Sequence, residues 1–121
     1  MKNICFITTT RAEYGLLKPL IDSTKNTSEF CITLIVSGTH LLSSFGNTFE
    51  EIKKDFTDFY KIPIMEENTL DMCKIISKVF DTFPEEIKKI NDIKKIDLAV
   101  ILGDRFEILA ISQVLFILGI K

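Results

Sequence analysis

Short apolar runs alternate along the chain with longer segments in which apolar residues recur at helical spacing. Four runs predict β-strands, at about residues 2–8, 30–37, 59–64 and 97–103. Helical spacing predicts helices over residues 12–24, near 47–54, from about 69 to 91, and after Glu107. Pro19 predicts a kink or a late start in the first helix, and Pro84 predicts that a second segment begins within the third.

The order of these elements predicts the fold. Strands separated by helices need crossover connections, which give a parallel sheet with helices on both faces. We therefore predict one doubly wound α/β domain over residues 1–121. Right-handed crossovers and the usual strand order 3-2-1-4-5 place strands one and four side by side. Loops 9–14 and 103–107 should then meet at the carboxyl edge of the sheet, where such folds bind ligands.

The last residues carry two further signals. Gly119 has the position of a residue that ends the last helix. Ile120 and Lys121 then predict the opening of a fifth strand. We expect the domain to be truncated before or within that strand.

Charge and apolar content restrict the possible partners. The formal net charge of −2 leaves no basic excess for a nucleic-acid backbone, so nucleic acid is not expected. The longest apolar stretch, residues 108–120, is shorter than the roughly 20 residues of a bilayer-spanning helix, so no membrane segment is expected. Cys5, Cys31 and Cys73 are widely spaced in apolar surroundings, and we expect reduced core residues in a cytoplasmic protein.

The first candidate site follows the first predicted strand. Thr8, Thr9 and Thr10 supply hydroxyls and backbone N–H groups at a helix N-terminus, and Arg11 adds a bidentate guanidinium. This combination suits an anionic ligand such as a phosphate. The alternative is a capping threonine beside a surface arginine. The dinucleotide fingerprint GxGxxG is absent from this turn, which disfavours NAD.

The second candidate is His40, the single histidine of the chain, in the Ser37-Gly38-Thr39-His40 segment after the second strand. Its ordinary pKa near neutrality suits hydrogen bonding to a phosphate or sugar, or proton transfer. The alternative is a surface histidine without function. No second histidine or paired cysteine accompanies it, so we expect no protein-ligated transition metal.

The third candidate is the Gly103–Glu107 segment, which places Asp104, Arg105 and Glu107 between an apolar strand and an apolar helix. Charges at such a point are costly unless they are paired or used. The alternative is structural: Asp104 caps the helix and Glu107 completes a capping box. That alternative does not explain Arg105.

Three segments together resemble the hydrolysing UDP-N-acetylglucosamine 2-epimerases, especially the branch that serves sialic-acid and related nonulosonic-acid synthesis. They are TRAEYGLL (residues 10–17), SGTHL (37–41) with FGNT (45–48), and GDRFE (103–107). Their order and spacing match across essentially the whole chain. Thr9 is a departure, since many relatives carry glycine there.

The resemblance implies two Rossmann-like domains in the glycosyltransferase-B arrangement, with a UDP-sugar bound in the cleft between them. Residues 1–121 would be the N-terminal Rossmann-like domain, without the C-terminal nucleotide-binding domain. The chain alone should then be inactive.

The implied reaction removes the proton at C2 of the acetamido sugar, expels UDP and adds water, releasing N-acetylmannosamine. By resemblance, Asp104 and His40 are the catalytic residues: Asp104 acts in proton transfer or holds the group that does, and His40 assists near the sugar. The implied substrate-binding residues are Thr10, Arg11, Arg105 and Glu107, of which Glu107 orients Arg105. The reaction needs no redox cofactor, and we expect no metal.

Two other functions remain open at this point. A glycosyltransferase of the same architecture would bind a similar donor and transfer its sugar to an acceptor. A non-catalytic α/β module would do neither.

The last predicted helix bears on assembly because residues 108–118 leave almost no polar face. A helix that is apolar all round must be buried on every side. We expect a second subunit to cover it, and the resemblance implies homodimers formed through the first domains. The alternative is cover by neighbouring helices of the same chain.

Overall fold

The sheet has the predicted topology. The computed structural model describes residues 1–46, 48–67 and 71–121. Within these ranges the strands are β1 (Lys2–Thr8), β2 (Phe30–Ser37), β3 (Tyr60–Ile62) and β4 (Leu98–Ile101). Every neighbouring pair is parallel and the order is β3-β2-β1-β4. The doubly wound α/β fold and the adjacency of strands one and four are therefore confirmed.

The helices lie close to their predicted positions. They are α1 (Arg11–Lys25), α2 (Phe49–Asp55), α3 (Met72–Ile93) and α4 (Phe106–Ile117). Two short 3-10 turns, Gly38–Leu41 and Ser43–Phe45, follow β2. The predicted starts of the second and third helices at Asn47 and Thr69 lie outside the described residues.

Side chains of β1 alternate between two apolar cores. Ile4 and Phe6 pack in the core formed with α1 and α2, whereas Cys5 and Ile7 pack in the core formed with α3 and α4. Successive residues of a strand point to opposite faces, so helices on both faces require a strand that is apolar throughout. This explains why β1 has no polar face for water and is buried from Asn3 to Thr8.

Pro84 does not begin a second helical segment, so that prediction is wrong. It lies inside the single helix α3. A proline inside a helix removes the hydrogen bond to the carbonyl four residues earlier and costs about 3 kcal/mol. That carbonyl belongs to Phe80, which is 40% exposed, so water can reach this stretch of the helix. The buried apolar face of α3, which includes Val79 and Phe83, continues through the proline and outweighs its cost.

The three cysteines occupy different environments. All are free thiols: Cys5 is buried, Cys31 is half-buried and Cys73 is exposed. Burial raises the pKa of the Cys5 thiol to about 12. The expectation of core residues holds for Cys5 and is wrong for Cys73, because the first turn of α3 lies at the surface.

Among the described helices, none is both long and apolar enough to cross a bilayer.

The end of α4 confirms the predicted role of Gly119. Its φ of 74° is in the left-handed region that ends many helices, and Ile120 N–H donates to the Leu115 carbonyl (2.9 Å). Beyond it, the Lys121 carbonyl accepts a hydrogen bond from the Ala99 N–H of β4 (2.7 Å). The last residue is therefore hydrogen-bonded to the outer edge of β4.

Candidate functional site

Three loops meet at the carboxyl edge of the sheet, and Thr9 joins them. The Thr9 carbonyl accepts a hydrogen bond from the Thr39 N–H in the loop after β2 (2.9 Å). Its hydroxyl oxygen lies 3.1 Å from Glu107 Oε1 in the segment after β4. The predicted meeting of loops 9–14 and 103–107 is confirmed.

A capping box begins α1. Thr10 Oγ1 accepts from the Glu13 N–H (3.2 Å), and Glu13 Oε1 accepts from the Thr10 N–H (3.0 Å). Glu13 Oε1 also accepts from the Thr9 N–H (3.0 Å), and the Glu13 side chain is buried. The alternative view of Thr10 as a helix cap is thus confirmed, while its contact with substrate stays a prediction.

Arg11 lies on the outer side of this turn. Its side chain is 71% exposed and its Nη2 is 3.1 Å from Glu51 Oε1 of α2. Ion pairs this exposed contribute about 0–1 kcal/mol, so an anionic ligand can replace Glu51 at small cost. The first turn of α1 adds N–H groups without intrahelical partners, which favours an anion at the same place.

His40 lies in the interior, not at the surface. It is 1% exposed, with Nε2 2.9 Å from Thr8 Oγ1 and Nδ1 2.8 Å from Thr48 Oγ1. Burial lowers its pKa to about 4, so the ring is neutral at pH 7. The alternative of a surface histidine is wrong. A catalytic role for His40 stays a prediction, and it requires that a ring nitrogen be released from its threonine partner.

Asp104 does not cap α4, so the structural alternative for it is wrong. The N-cap residue is Arg105, and no side chain among the described residues caps this helix end. Arg105 Nε donates to Glu107 Oε1 (2.6 Å), with the arginine side chain 40% exposed and the glutamate fully buried. Asp104 itself is exposed. Its carboxylate therefore remains available for a ligand.

Two glycines permit the close approach of these loops. A Cβ atom on Gly38 would lie 2.7 Å from the Thr9 carbonyl oxygen, and one on Gly103 would lie 2.8 Å from Glu13 Oε2. Both glycines have positive φ, 62° and 138°. Larger residues would therefore push apart the loops after β1, β2 and β4.

Glu13 is the residue of this cluster that the sequence analysis missed. It connects the first turn of α1 to Thr9 and lies against Gly103. The signal was present, because Thr10 and Glu13 have the same spacing that suggested a capping box for Asp104 and Glu107.

The edge has the groups for binding an anion and moving a proton. Arg11 and Arg105 are positive and partly or largely exposed, and Asp104, which directly precedes Arg105 in the chain, is an exposed carboxylate. Within the described ranges, no group of three or more His, Cys, Asp or Glu side chains is placed to hold a metal ion. The chemistry available to these residues is acid–base and electrostatic.

Together, the fold and the cluster define a doubly wound α/β domain with its charged residues at the carboxyl edge of the sheet. No family model matches the chain. The chain is 35% identical over 121 residues to the GDP/UDP-N,N'-diacetylbacillosamine 2-epimerase (hydrolyzing) of Campylobacter jejuni, covering 98% of this chain and 30% of that protein. It is 33% identical over 113 residues to the UDP-N-acetylglucosamine 2-epimerase of Neisseria meningitidis, covering 91% and 28%.

A solved structure gives the same relation at the level of fold. The crystal structure of UDP-GlcNAc 2-epimerase from Neisseria meningitidis bound to UDP-GlcNAc matches with a TM-score of 0.74 and 17% identity, covering 100% of this chain and 30% of that one. The Rossmann-like fold of the glycosyltransferase-B type is thereby confirmed. The chain is similar to the N-terminal part of hydrolysing UDP-N-acetylglucosamine 2-epimerases, as its motifs predicted, and it spans about 30% of the length of these relatives.

Proposed function

We propose that this chain is the first domain of a hydrolysing 2-epimerase that converts UDP-N-acetylglucosamine, or a related UDP-acetamido sugar, to an N-acetylmannosamine-type sugar and UDP. One observation carries the proposal: Thr9 joins the loops after β1, β2 and β4 directly. This junction sets the Arg11 and Asp104 segments side by side. The names of the Campylobacter and Neisseria relatives support the reaction class.

The two arginines are the proposed phosphate ligands. Arg105 uses its Nε for Glu107, which leaves its terminal nitrogens for an anion. Arg11 exchanges Glu51 for the UDP pyrophosphate, and Thr10 places the helix N-terminus beside it. Glu107 is fully buried and serves to orient Arg105.

Asp104 is the proposed proton-transfer residue. In the reaction, the C2–H electron pair forms the C1–C2 double bond as the C1–O bond to UDP breaks. Water then adds its hydroxyl to C1, and a proton returns to C2 from the opposite face. Two proton-transfer groups are needed, one on each face of the sugar. Asp104 supplies one, and a carboxylate outside residues 1–121 supplies the other.

His40 has a supporting role in this proposal. Both of its ring nitrogens bond to threonine hydroxyls, one on Thr8 at the end of β1 and one on Thr48 just before α2. The ring thereby ties α2, which carries Glu51, to the carboxyl end of β1. It assists near the sugar by holding this loop in place.

The proposal includes a second, nucleotide-binding domain beyond these residues. The Lys121 carbonyl is already hydrogen-bonded to Ala99 at the outer edge of β4, which is where a fifth parallel strand would pair. The chain alone is expected to be inactive because the UDP-sugar needs both walls of the cleft.

The decisive experiment incubates the full-length gene product with UDP-N-acetylglucosamine, and separately with a UDP-diacetamido sugar, in D₂O without an acceptor. An epimerase releases UDP and an N-acetylmannosamine-type sugar that carries deuterium at C2, since the lost proton is replaced from solvent. Strict dependence on an acceptor would indicate a glycosyltransferase. Failure to bind UDP or either sugar nucleotide would indicate a non-catalytic module.

We also propose a homodimer formed through α4 and the adjoining part of α3. One side of α4 is buried, but Leu109 is 62% exposed, Phe116 83% and Ile117 72%. Phe80 of α3, 40% exposed, borders the same patch. Light scattering on the full-length protein should give twice the monomer mass, and Phe116→Lys should halve it. A monomer at micromolar concentration would contradict this assembly.

A further inference from the structure

Thr9 is fully buried, and both its hydroxyl and its carbonyl contact residues of other segments. Its hydroxyl lies 2.5 Å from Glu13 Oε1 and 3.1 Å from Glu107 Oε1, so it bridges two carboxyl groups. Its carbonyl accepts from both the N–H (2.9 Å) and the hydroxyl (3.1 Å) of Thr39. The residue therefore holds one partner from each loop of the edge.

The burial of these two carboxyl groups has a cost in the free energy of folding. Glu13 is 6% exposed and Glu107 is 0% exposed. The Oε2 atom of each is buried and has no hydrogen-bond partner among the residues that the structure describes. An unsatisfied buried polar atom costs about 1–3 kcal/mol. The capping box accounts for the contacts of Glu13 Oε1, but no stabilising hydrogen bond among the described residues accounts for either Oε2 atom.

The contacts instead form a continuous path from one functional loop to the other. Glu13 is fixed by the capping box of α1, and its Oε1 receives the Thr9 hydroxyl. The same hydroxyl reaches Glu107, whose Oε1 receives Arg105 Nε (2.6 Å). Arg105 directly follows Asp104 in the chain.

We propose that Thr9, Glu13 and Glu107 form a positioning network that sets the distance between the Arg11 loop and the Asp104 loop. The proposal rests on the proposed function, in which the first loop binds pyrophosphate and the second moves the C2 proton. The three residues do not touch the reacting atoms. They act through Arg105 and through the backbone of residues 9–11, and small displacements of reacting groups are costly in rate.

A matched pair of variants separates positioning from general packing. Thr9→Val keeps the shape of the side chain and removes the hydroxyl that bridges the two carboxyl groups. Thr39→Val removes another buried hydroxyl that also contacts Thr9, but only at its carbonyl, where the Thr39 N–H contact remains. Thr9→Ser restores the bridging hydroxyl and tests for rescue.

In the full-length enzyme, Thr9→Val should lower kcat about tenfold or more while KM stays within about threefold. Thr9→Ser should return kcat to near the parent value, and Thr39→Val should change it less than about threefold. Amides of residues 102–108 should exchange hydrogen faster in Thr9→Val than in the parent or in Thr39→Val. Glu107→Gln keeps the side-chain shape and is the second variant in case Thr9→Val does not fold. It is expected to show the same faster exchange of residues 102–108.

The exchange measurement does not depend on the reaction, so it separates this inference from the proposed function. Absence of epimerase activity in the parent enzyme would overturn the function while exchange still reports on the network. Parent-like exchange of residues 102–108 in Thr9→Val would overturn the network. Equal effects of Thr9→Val and Thr39→Val on kcat and on exchange would also overturn it.

Discussion

The N-termini of α1 and α4 have the same sequence pattern and use it differently. Thr10-Arg11-Ala12-Glu13 and Asp104-Arg105-Phe106-Glu107 each place a residue type that often caps helices, an arginine and a glutamate at equal spacing. In α1 the threonine and glutamate close a capping box. In α4 the N-cap moves on to Arg105, and the glutamate turns to Arg105 and to Thr9 of the other loop.

The difference shows which of the two first residues, Thr10 or Asp104, is free to contact a ligand. In α1 the first residue of the pattern is Thr10, whose hydroxyl accepts the Glu13 N–H and so caps the helix. In α4 the first residue lies outside the helix and is exposed. A residue that the fold does not need is available for a ligand, which is why Asp104 is the stronger candidate for chemistry.

The largest expected effect is on Asp104. Asp104→Asn in the full-length enzyme should lower kcat about 10²- to 10³-fold and leave the affinity for UDP within about threefold, because proton transfer acts on the transition state. Steady-state kinetics and UDP titration measure both. Asp92→Asn, at an exposed position near the C-terminal end of α3, is the control and should leave kcat and UDP affinity unchanged. Parent-like turnover in Asp104→Asn would remove the functional difference between the two helix ends.

The next effect concerns the point where the two ends touch. Gly103→Ala should destabilise the protein by about 2–3 kcal/mol, because φ is 138° and the new Cβ would lie 2.8 Å from Glu13 Oε2. Urea unfolding measures it. Gly119→Ala is the control: φ is 74° and, apart from its chain neighbours, no described residue has an atom within 4 Å of the new Cβ, so about 1 kcal/mol is expected. Equal losses would show that the Glu13 contact has no influence.

The pH dependence of the free energy of unfolding tests His40, whose partner Thr8 lies at the end of β1, just before α1. Its pKa is lowered by burial from 6.5 to about 4, so between these values the unfolded chain binds a proton that the folded chain does not. Stability from this group is therefore complete above pH 6.5 and is lost as pH falls toward 4. From pH 7.5 to 5 the loss should be about 2 kcal/mol.

The measurement compares urea unfolding of the parent with His40→Gln at several pH values. The glutamine variant lacks the titrating ring, so its deficit relative to the parent should shrink by about 2 kcal/mol toward pH 5. A deficit that stays constant with pH would mean that the ring titrates alike in the folded and unfolded states.

Strand positions were predictable where the apolar signal is continuous. β1 and β2 lie at the predicted residues because both faces of their strands are buried, and uninterrupted apolar runs are the direct consequence. β3 is shorter than its weak run suggested, at Tyr60–Ile62. Pro84 does not start a new segment because the buried apolar face of α3 continues across it, which a local proline signal cannot indicate.

The candidate site was predictable in its location and less so in its details. Strand order alone brings the Arg11 and Asp104 loops together, so the location of the candidate site at the carboxyl edge of the sheet could be predicted from the topology. Burial of His40 depends on Thr8 and Thr48, which are far from it in sequence or on another element. Such contacts arise only in the folded chain.

The smallest effect tests the comparison of the two helix ends most directly. Thr10→Ala removes the hydroxyl that accepts the Glu13 N–H, and loss of such a cap costs about 1 kcal/mol. Asp104→Ala removes a side chain that caps no helix in the described part of the chain, so its cost should stay within about 0.5 kcal/mol. Urea unfolding of both variants at pH 7.5 measures the difference. Equal destabilisation would mean that Asp104 supports its helix in solution as Thr10 does, and the assignment of Asp104 to proton transfer would lose its structural basis.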